Sequence, residues 1–325
     1  MDTIFKFNNI FKPVIWGGRR IAEFKGLPPQ GDNIGECWEL SPVPGYESVV
    51  VDGDFKGMTL PRLIDLYGDE IMGRRLMKQL DGKFPIVVKI IDSADDLSIQ
   101  VHPDDDLAAE RHGTPGKTEI WYSIAPETGA CLYSGFSERL NAETLKKRIT
   151  DNTIVEALVR FETKPGDVFF LPAGRVHSMG SGNLILEVHQ ASDITYRIYD
   201  YDRRDKNGKP RQLHIDEAID AIDFDDVKSK DIHACNVDVS AGETAELKHC
   251  PYFNVDLMGV GGSLNIDLSG RDSFTVLFAV DGDFALETSG GARAVLRRGE
   301  TVLIPADVKA VTANGNGKII SVFVP

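Results

Sequence analysis

Two short segments carry polar side chains at the spacing of a β-strand. Ser98, Gln100 and His102 alternate with apolar residues, so in a strand these three side chains lie on one face. Burying three polar groups is costly unless they find partners. The face therefore either lines a functional cleft or lies in solvent, and alternation alone leaves both interpretations open.

The second segment, KTEIW, begins at Lys117 and repeats the pattern, with Lys117 and Glu119 on one face. A further candidate is His177, which stands at the end of the spacing Gly166-x5-Pro-x-Gly-x2-His. This spacing predicts a turn, a buried strand, a second turn and the start of a new strand at His177. It also resembles the second sequence motif of the cupin superfamily up to its histidine.

Together these segments supply two imidazoles, one carboxylate and one amide oxygen. Nitrogen and oxygen ligands of this kind suit a zinc ion that keeps room for water or substrate. A single histidine would more often be a hydrogen-bonded core residue, but His102, Glu119 and His177 occur with Gln100. The sequence therefore predicts one metal ion per chain, held by nitrogen and oxygen ligands.

The segments around the candidate ligands predict a mainly β fold. β-Branched and aromatic runs separated by turn residues indicate strands within 85–101, 119–125, 167–171, 184–188, 274–280 and 301–304. Helical spacing of apolar residues predicts helices over 60–80, broken near Gly68 or Gly73, over 142–150, and over 213–221. Helices of this kind are expected as insertions beside a β core.

One internal repeat predicts two related domains. PGDVFFLPAGRVHS, from Pro165, aligns with RGETVLIPADVKAV, from Arg298, and the position of His177 is occupied by Ala310 in the second copy. Copies this far apart indicate two domains rather than a short-period solenoid. We expect two cupin-like β-barrel (jelly-roll) domains. Residues 1–235 form the metal-binding domain, with helical insertions at about 59–80 and 138–151, and 236–325 form a degenerate copy without ligands.

Charge and composition exclude several classes of partner. The 325 residues carry a formal net charge of -14, which argues against binding to nucleic acid or to anionic membranes. No stretch approaches the ~18 apolar residues that a membrane-spanning helix requires, and the N-terminal residues do not form a secretory signal. We expect a cytoplasmic monomer or homodimer.

Longer blocks of sequence resemble the type I mannose-6-phosphate isomerases, in particular their short bacterial form. The matching blocks are KPVIWGGRRI from Lys12, GECWELS from Gly35, SIQVHPDD from Ser98, GKTEIWY from Gly116, and FFLPAGRVHSMGSGNLILEVHQASDITYRIYDYDR from Phe169. The resemblance implies that zinc is bound by Gln100, His102, Glu119 and His177. It also implies that Arg197 is the catalytic arginine, that Lys117 and Ser98 approach the substrate and its phosphate, and that Glu187 occupies a family carboxylate position.

The residues themselves leave the roles of Glu187 and Arg197 open. On strand alternation Glu187 is as compatible with an ordinary surface carboxylate as with a tuned base or a partner of a metal ligand. Arg197 is equally compatible with a structural ion pair, and a water on the metal is the alternative base.

The function that the resemblance implies is a zinc-dependent aldose–ketose isomerase that interconverts mannose 6-phosphate and fructose 6-phosphate through an enediol-like intermediate. Two alternatives belong to other classes. A catalytically silent sugar-phosphate-binding or regulatory protein would be expected to have lost part of the ligand set, which is complete here. A cupin oxidoreductase with iron would use similar ligands, because ligand type does not fix the metal.

Overall fold

The computed structural model describes residues 1–205, 207–227 and 233–325. Within these ranges the fold is mainly β, as predicted. The strands are β1 Phe5–Lys6, β2 Ile10–Gly18, β3 Ile34–Leu40, β4 Ile86–Ser93, β5 Ile99–Val101, β6 Glu119–Ser123, β7 Cys131–Phe136, β8 Leu158–Glu162, β9 Val168–Leu171, β10 His177–Met179, β11 Asn183–Gln190, β12 Tyr196–Tyr199, β13 His233–Ala234, β14 Thr244–His249, β15 Asn254–Asp267, β16 Thr275–Asp281, β17 Phe284–Thr288, β18 Arg293–Leu296, β19 Thr301–Ile304 and β20 Ala310–Phe323.

Six α-helices and one 3-10 turn, Ile154–Ala157, accompany the strands in the described ranges. The α-helices are α1 Arg20–Phe24, α2 Leu60–Met72, α3 Arg74–Gln79, α4 Asp105–His112, α5 Ala142–Thr150 and α6 Ile215–Ala221. The predicted break between α2 and α3 falls at Gly73, whose φ of 88° is a backbone conformation that favours glycine. Tyr67, beside Gly68, is also non-helical and kinks α2. Both glycines singled out in the sequence therefore mark irregularities of this helical insertion.

Two sheets of the N-terminal part face each other and create the space for a site. The larger has seven strands in the order β13-β9-β6-β11-β4-β2-β3, and the smaller has five in the order β12-β5-β10-β7-β8. Apolar side chains from both sheets meet in one cluster that includes Ile91 and Trp121 from the larger sheet and Leu132 and Met179 from the smaller. The arrangement is a sandwich, and its interior holds the predicted ligands.

A third, eight-stranded sheet contains the path β1-β19-β16-β20-β15-β14, with β17 and β18 attached beside it. Its strand β1 comes from the start of the chain, because Phe5 pairs with Leu303. A single apolar cluster joins this sheet to α2 and to the seven-stranded sheet, and the rings of Phe84 and Phe274 pack with centroids 4.5 Å apart. We propose the division into 1–235 and 236–325 as domains that share this core.

The two copies of the internal repeat have the same local structure. Gly166 and Gly299 both have positive φ, 82° and 75°. A four-residue strand follows each glycine, β9 and β19 respectively. The next strand then begins at His177 in the first copy and at Ala310 in the second. The repeat thus preserves the turn and strands that carry His177, while its second copy presents a methyl group at that position.

Candidate metal centre and active-site cavity

Two rows of side chains, one on each facing sheet, build the site. Across the five-stranded sheet the directly paired residues are Arg197, Gln100, His177 and Ser134. Across the seven-stranded sheet they are Trp38, Lys89, Glu187 and Trp121. Directly paired residues of antiparallel strands project from the same face. Each row therefore places chemically active groups side by side, although they lie far apart in sequence.

Three of the predicted ligands converge in the buried interior of the sandwich. His102, Glu119 and His177 each offer one ligand atom within 4.8 Å of the other two, and all three side chains are buried. Glu119 Oε1 lies 3.2 Å from Nε2 of His177, and Glu119 Oε2 lies 3.5 Å from Nε2 of His102. The geometry is that of two imidazoles directed at one carboxylate, which are N and O ligands suited to a divalent metal.

The hydrogen bonds of both histidines select the form that binds a metal through Nε2. Nδ1 of His102 lies 2.8 Å from the carbonyl oxygen of Ile194, and Nδ1 of His177 lies 2.9 Å from that of Arg175. A carbonyl oxygen only accepts, so each Nδ1 donates and the Nε2 of a neutral ring keeps its lone pair. Neither carboxylate oxygen of Glu119 accepts a well-oriented hydrogen bond. Lys117 is the cationic neighbour of Glu119 Oε2, and a bound metal ion would satisfy the remaining lone pairs of this donor set.

The charge states of these groups follow from burial and from Lys117. Burial lowers the pKa of His102 well below its usual range, and the nearby Lys117 ammonium lowers it further, so the ring is neutral. Burial would raise the pKa of Glu119, but Lys117, His102 and His177 together hold it well below its usual range. Lys117 Nζ lies 2.9 Å from Glu119 Oε2. The centre therefore contains a carboxylate and a neutral imidazole at neutral pH, the protonation states that metal ligands require.

Gln100 adjoins this centre, and the solvent interpretation of its strand face is wrong. The amide nitrogen of Gln100 lies 3.4 Å from Nε2 of His177, and Gln100 pairs with His177 in the strand register. Exchanging the nitrogen and oxygen of the amide would direct its oxygen to the same point. Ser98 and His102 are only 3% and 1% exposed. The polar face lines the interior of the sandwich, as the cleft interpretation predicted.

Glu187 is buried beside the centre, so the surface-carboxylate interpretation is also wrong. Its Oε1 lies 2.9 Å from Nζ of Lys89 and 3.6 Å from Nζ of Lys117, and its Oε2 accepts a 2.9 Å hydrogen bond from Nε1 of Trp121. Burial and the negative charge of Glu119 raise the pKa of Glu187, whereas Lys89 and Lys117 oppose the increase. A buried carboxylate with a raised pKa is suited to accept a proton near neutral pH.

A cavity of about 330 Å³ opens onto this arrangement. Arg197 lines it and donates from Nε to Oγ of Ser98 at 3.2 Å and from Nη1 to the carbonyl oxygen of Gln212 at 3.0 Å. Burial lowers the pKa of Arg197, and the neighbouring Arg211 adds to this effect. The structure thus brings Ser98, Gln100, Lys117, Glu187 and Arg197 to the walls of one cavity, with the buried ligands adjoining them.

Sequence reasoning gave no role to five charged residues on the cavity wall, which are Lys12, Glu36, Lys89, Asp193 and Arg211. Lys89 lies between Glu187 and Glu36, at 2.9 Å and 3.8 Å, and Lys12 lies 3.9 Å from Glu36. Burial opposes the charge of Lys89, but Glu187 and Glu36 raise its pKa above the usual value. A lone lysine inside the apolar run IVVKII was the available signal, since buried lysines are almost always paired.

The segment that carries Lys117 and Glu119 is held by a second network that the sequence did not suggest. One carboxylate oxygen of Asp105, in the first turn of α4, accepts hydrogen bonds from the Gly116 N–H and from the amide of Gln190, at 2.8 and 2.9 Å. The amide oxygen of Gln190 accepts from the Thr118 N–H at 2.8 Å. Asp105 and Gln190 therefore fix the backbone on both sides of Lys117.

Comparisons with known proteins agree with this geometry. A family model for the type I phosphomannose isomerase catalytic domain matches residues 4–132, and one for the mannose-6-phosphate isomerase cupin domain matches residues 243–324. The chain is 36% identical over 302 residues to the mannose-6-phosphate isomerase ManA of Bacillus subtilis strain 168, with 92% of each chain covered. It is 34% identical over 309 residues to the mannose-6-phosphate isomerase of Streptococcus mutans, with 94% of each covered.

A solved structure of a relative has the same fold. The crystal structure of the mannose 6-phosphate isomerase from Bacillus subtilis superposes with a TM-score of 0.83 at 29% sequence identity, and 99% of each chain is covered. The cupin-domain match confirms the predicted cupin-like character of the C-terminal strands. In the ranges that the structure describes, no helix is long and apolar enough to cross a bilayer.

Proposed function

The chain belongs to the type I phosphomannose isomerase family, and we infer from that premise that it is an aldose–ketose isomerase that interconverts mannose 6-phosphate and fructose 6-phosphate. The observation that carries the inference is the buried triad of His102, Glu119 and His177 beside a cavity lined by lysine and arginine. The complete ligand set supports an active enzyme over the silent binding protein considered above.

We propose that Gln100, His102, Glu119 and His177 hold one Zn²⁺ per chain. Both histidines donate through Nδ1 to backbone carbonyls and keep Nε2 for a metal, and among the described residues Glu119 Oε1 accepts no hydrogen bond, so the residues fit a cation of this kind. When bound, zinc supplies a Lewis acid that polarises the oxygens on C1 and C2 of the sugar.

The isomerisation moves one carbon-bound proton and one hydroxyl proton. From the aldose, a base removes the proton on C2 and returns it to C1, while the hydroxyl proton on C2 passes to the oxygen on C1. We propose that Glu187 is the base that carries the carbon-bound proton. Its burial and raised pKa support this role, and Trp121 holds its second oxygen in place.

Positive side chains are placed to stabilise the charge that develops in this reaction. We propose that Arg197 lies beside the developing oxyanion, since it pairs with Gln100 in the strand register and lines the cavity. Lys117, between Glu119 and Glu187, contacts the reacting end of the substrate, and Ser98 contacts the substrate from its position beside Arg197 on the facing sheet. A sugar phosphate carries charge and does not cross a bilayer unaided. We therefore place the reaction in the cytoplasm. We also propose that the enzyme is a monomer or homodimer.

The experiment is a coupled assay for fructose 6-phosphate formation from mannose 6-phosphate on purified protein. Activity that a chelator removes and zinc restores is the expected result. Absence of activity in protein with one zinc ion bound per chain would refute the proposed reaction, and restoration by iron but not zinc would refute the assignment of the metal.

A further inference from the structure

The end of the cavity away from the metal centre is rich in arginine. Strand β12 runs antiparallel to β5, with Arg197 paired to Gln100 and Tyr199 to Ile99. The chain after Arg197 therefore runs away from His102, and Asp200 follows the last residue of β12. Arg211, which binds Asp200, and His214 line this end of the cavity.

The lysines of the cavity are already matched by carboxylates. Lys12 faces Glu36 and Asp193 at 3.9 and 4.0 Å. Lys89 lies against Glu187 and Glu36, and Lys117 against Glu119 and Glu187. Around the metal ligands the acidic groups thus balance the lysines before any substrate arrives. A dianionic phosphate at that end would meet several carboxylates at close range, which is unfavourable.

The arginine end has the opposite balance. Arg203 pairs with the buried carboxylate of Asp200 and the exposed carboxylate of Asp95, and Arg211 pairs with Asp200. Arg197 adds a third guanidinium, so positive charge is in excess. Within the described ranges, the guanidinium of Arg197 forms no ion pair with a carboxylate and donates only to the neutral oxygens of Ser98 and Gln212. An anion is the ligand that this end of the cavity complements.

Asp200 also orients the guanidinium of Arg211. It accepts from Nε of Arg211 at 2.8 Å and from one terminal nitrogen of the same group, while Arg203 donates to it at 2.6 Å. These two bonds occupy one edge of the planar guanidinium. The remaining N–H groups are left in a fixed direction, and a fixed fork of donors is the arrangement that binds phosphate oxygens well. Arg203 shares Asp200 but does not line the cavity.

We propose that Arg211, held by Asp200, is the anchor for the phosphate group of the sugar phosphate. This assignment rests on the proposed function and refines it, because it places the phosphate at the arginine end rather than against Lys117. Arg211 lines the same cavity as Gln100 and Lys117, so one bound sugar phosphate can contact the metal side and the arginine end together. Specificity for phosphorylated over free sugars then depends on this arginine.

The test compares Arg211→Gln with Arg203→Gln in zinc-loaded protein. Both substitutions remove one guanidinium partner from Asp200, so they are matched in their structural effect, and melting temperatures check that both fold. We expect Arg211→Gln to raise KM for mannose 6-phosphate and Kd for inorganic phosphate, measured by titration calorimetry, by roughly 10- to 100-fold, as for a lost hydrogen bond to a charged group. Turnover should change little, and Arg203→Gln should change neither constant by more than about threefold.

The possible results separate the phosphate anchor from the proposed reaction. Unchanged KM and Kd in Arg211→Gln, an equal increase in both variants, or no phosphate binding to the unsubstituted protein would overturn the assignment. Phosphate binding that depends on Arg211 in a protein without isomerase activity would leave the anchor standing and refute the proposed reaction. Isomerase activity with an unchanged KM in Arg211→Gln would refute the phosphate anchor and leave the proposed reaction standing.

Discussion

Replacing Glu187 by glutamine tests the proposed base most directly. The substitution keeps the shape of the side chain and its hydrogen bond with Trp121, but it removes the negative charge and the ability to accept a proton. General base catalysis contributes roughly 10²- to 10⁴-fold, so kcat should fall by about that factor, equivalent to about 3 to 5 kcal/mol in the activation free energy. Zinc content should not change, because Glu187 is outside the proposed ligand set.

The cost to folding can be separated from the cost to chemistry. Breaking a buried ion pair costs about 3 to 5 kcal/mol, and here Lys89 keeps Glu36 at 3.8 Å, so the free energy of unfolding should fall by less than that range. Glu39→Gln is a matched control, because Glu39 is another buried carboxylate paired with a lysine, Lys25, outside the cavity. Its stability should fall at least as much, while kcat per folded molecule is retained.

The assay is steady-state turnover with mannose 6-phosphate, together with chemical denaturation of both variants and metal analysis. A kcat for Glu187→Gln within about tenfold of the unsubstituted enzyme would refute the assignment of the base. The same would follow if Glu39→Gln lost as much turnover per folded molecule as Glu187→Gln, because the loss would then reflect buried charge in general.

Three further predictions follow from the site. Chelation should abolish turnover and lower the melting temperature, because removing the ion leaves a buried carboxylate facing two imidazoles; scanning calorimetry with and without chelator measures this, and an unchanged melting temperature would contradict the proposed ligand set. Arg197→Ala should reduce kcat by roughly 10²- to 10³-fold. It should change the free energy of unfolding by no more than about 2 kcal/mol, since the Arg197 guanidinium bonds only to neutral oxygens. Full turnover in this variant would exclude a catalytic role. Asp105→Asn should alter the visible spectrum of cobalt-substituted protein and lower kcat more than it changes KM. The reason is that Asp105, through Gly116 and Gln190, fixes the segment that carries Glu119. A spectrum identical to that of the unsubstituted protein would show that this network does not position the ligand.

The local parts of the site were readable from the sequence because strand periodicity is a local property. Alternation placed Ser98, Gln100 and His102 on one face, and α5 has the predicted bounds Ala142–Thr150. Which strands would pair was not readable, since the register that sets Gln100 beside His177 joins segments 77 residues apart. That register depends on how whole sheets pack, a property that alternation within one segment does not encode.

Two misses had signals that could have been used. Helix α4 was not predicted because only Ala108 of its residues is fully buried, so its apolar spacing is weak. Its ends are nevertheless marked by a capping aspartate, Asp104, and by Gly113 in the left-handed region with φ of 66°. Lys89 was passed over because it stands in an apolar run that satisfies the strand pattern without it. A charged residue in such a run indicates a buried partner.

The pairing of β1 with β19 determines when the third sheet can form during synthesis of the chain. Phe5 is synthesised roughly 15 to 60 s before its partner Leu303 at usual elongation rates. Throughout that interval the apolar face of α2 and the ring of Phe84 also lack their neighbours from the third sheet, such as Phe274. The newly made N-terminal part thus exposes an apolar surface until the strands of the third sheet have been synthesised, and a stop codon placed after the sandwich would yield a fragment that aggregates or requires a chaperone.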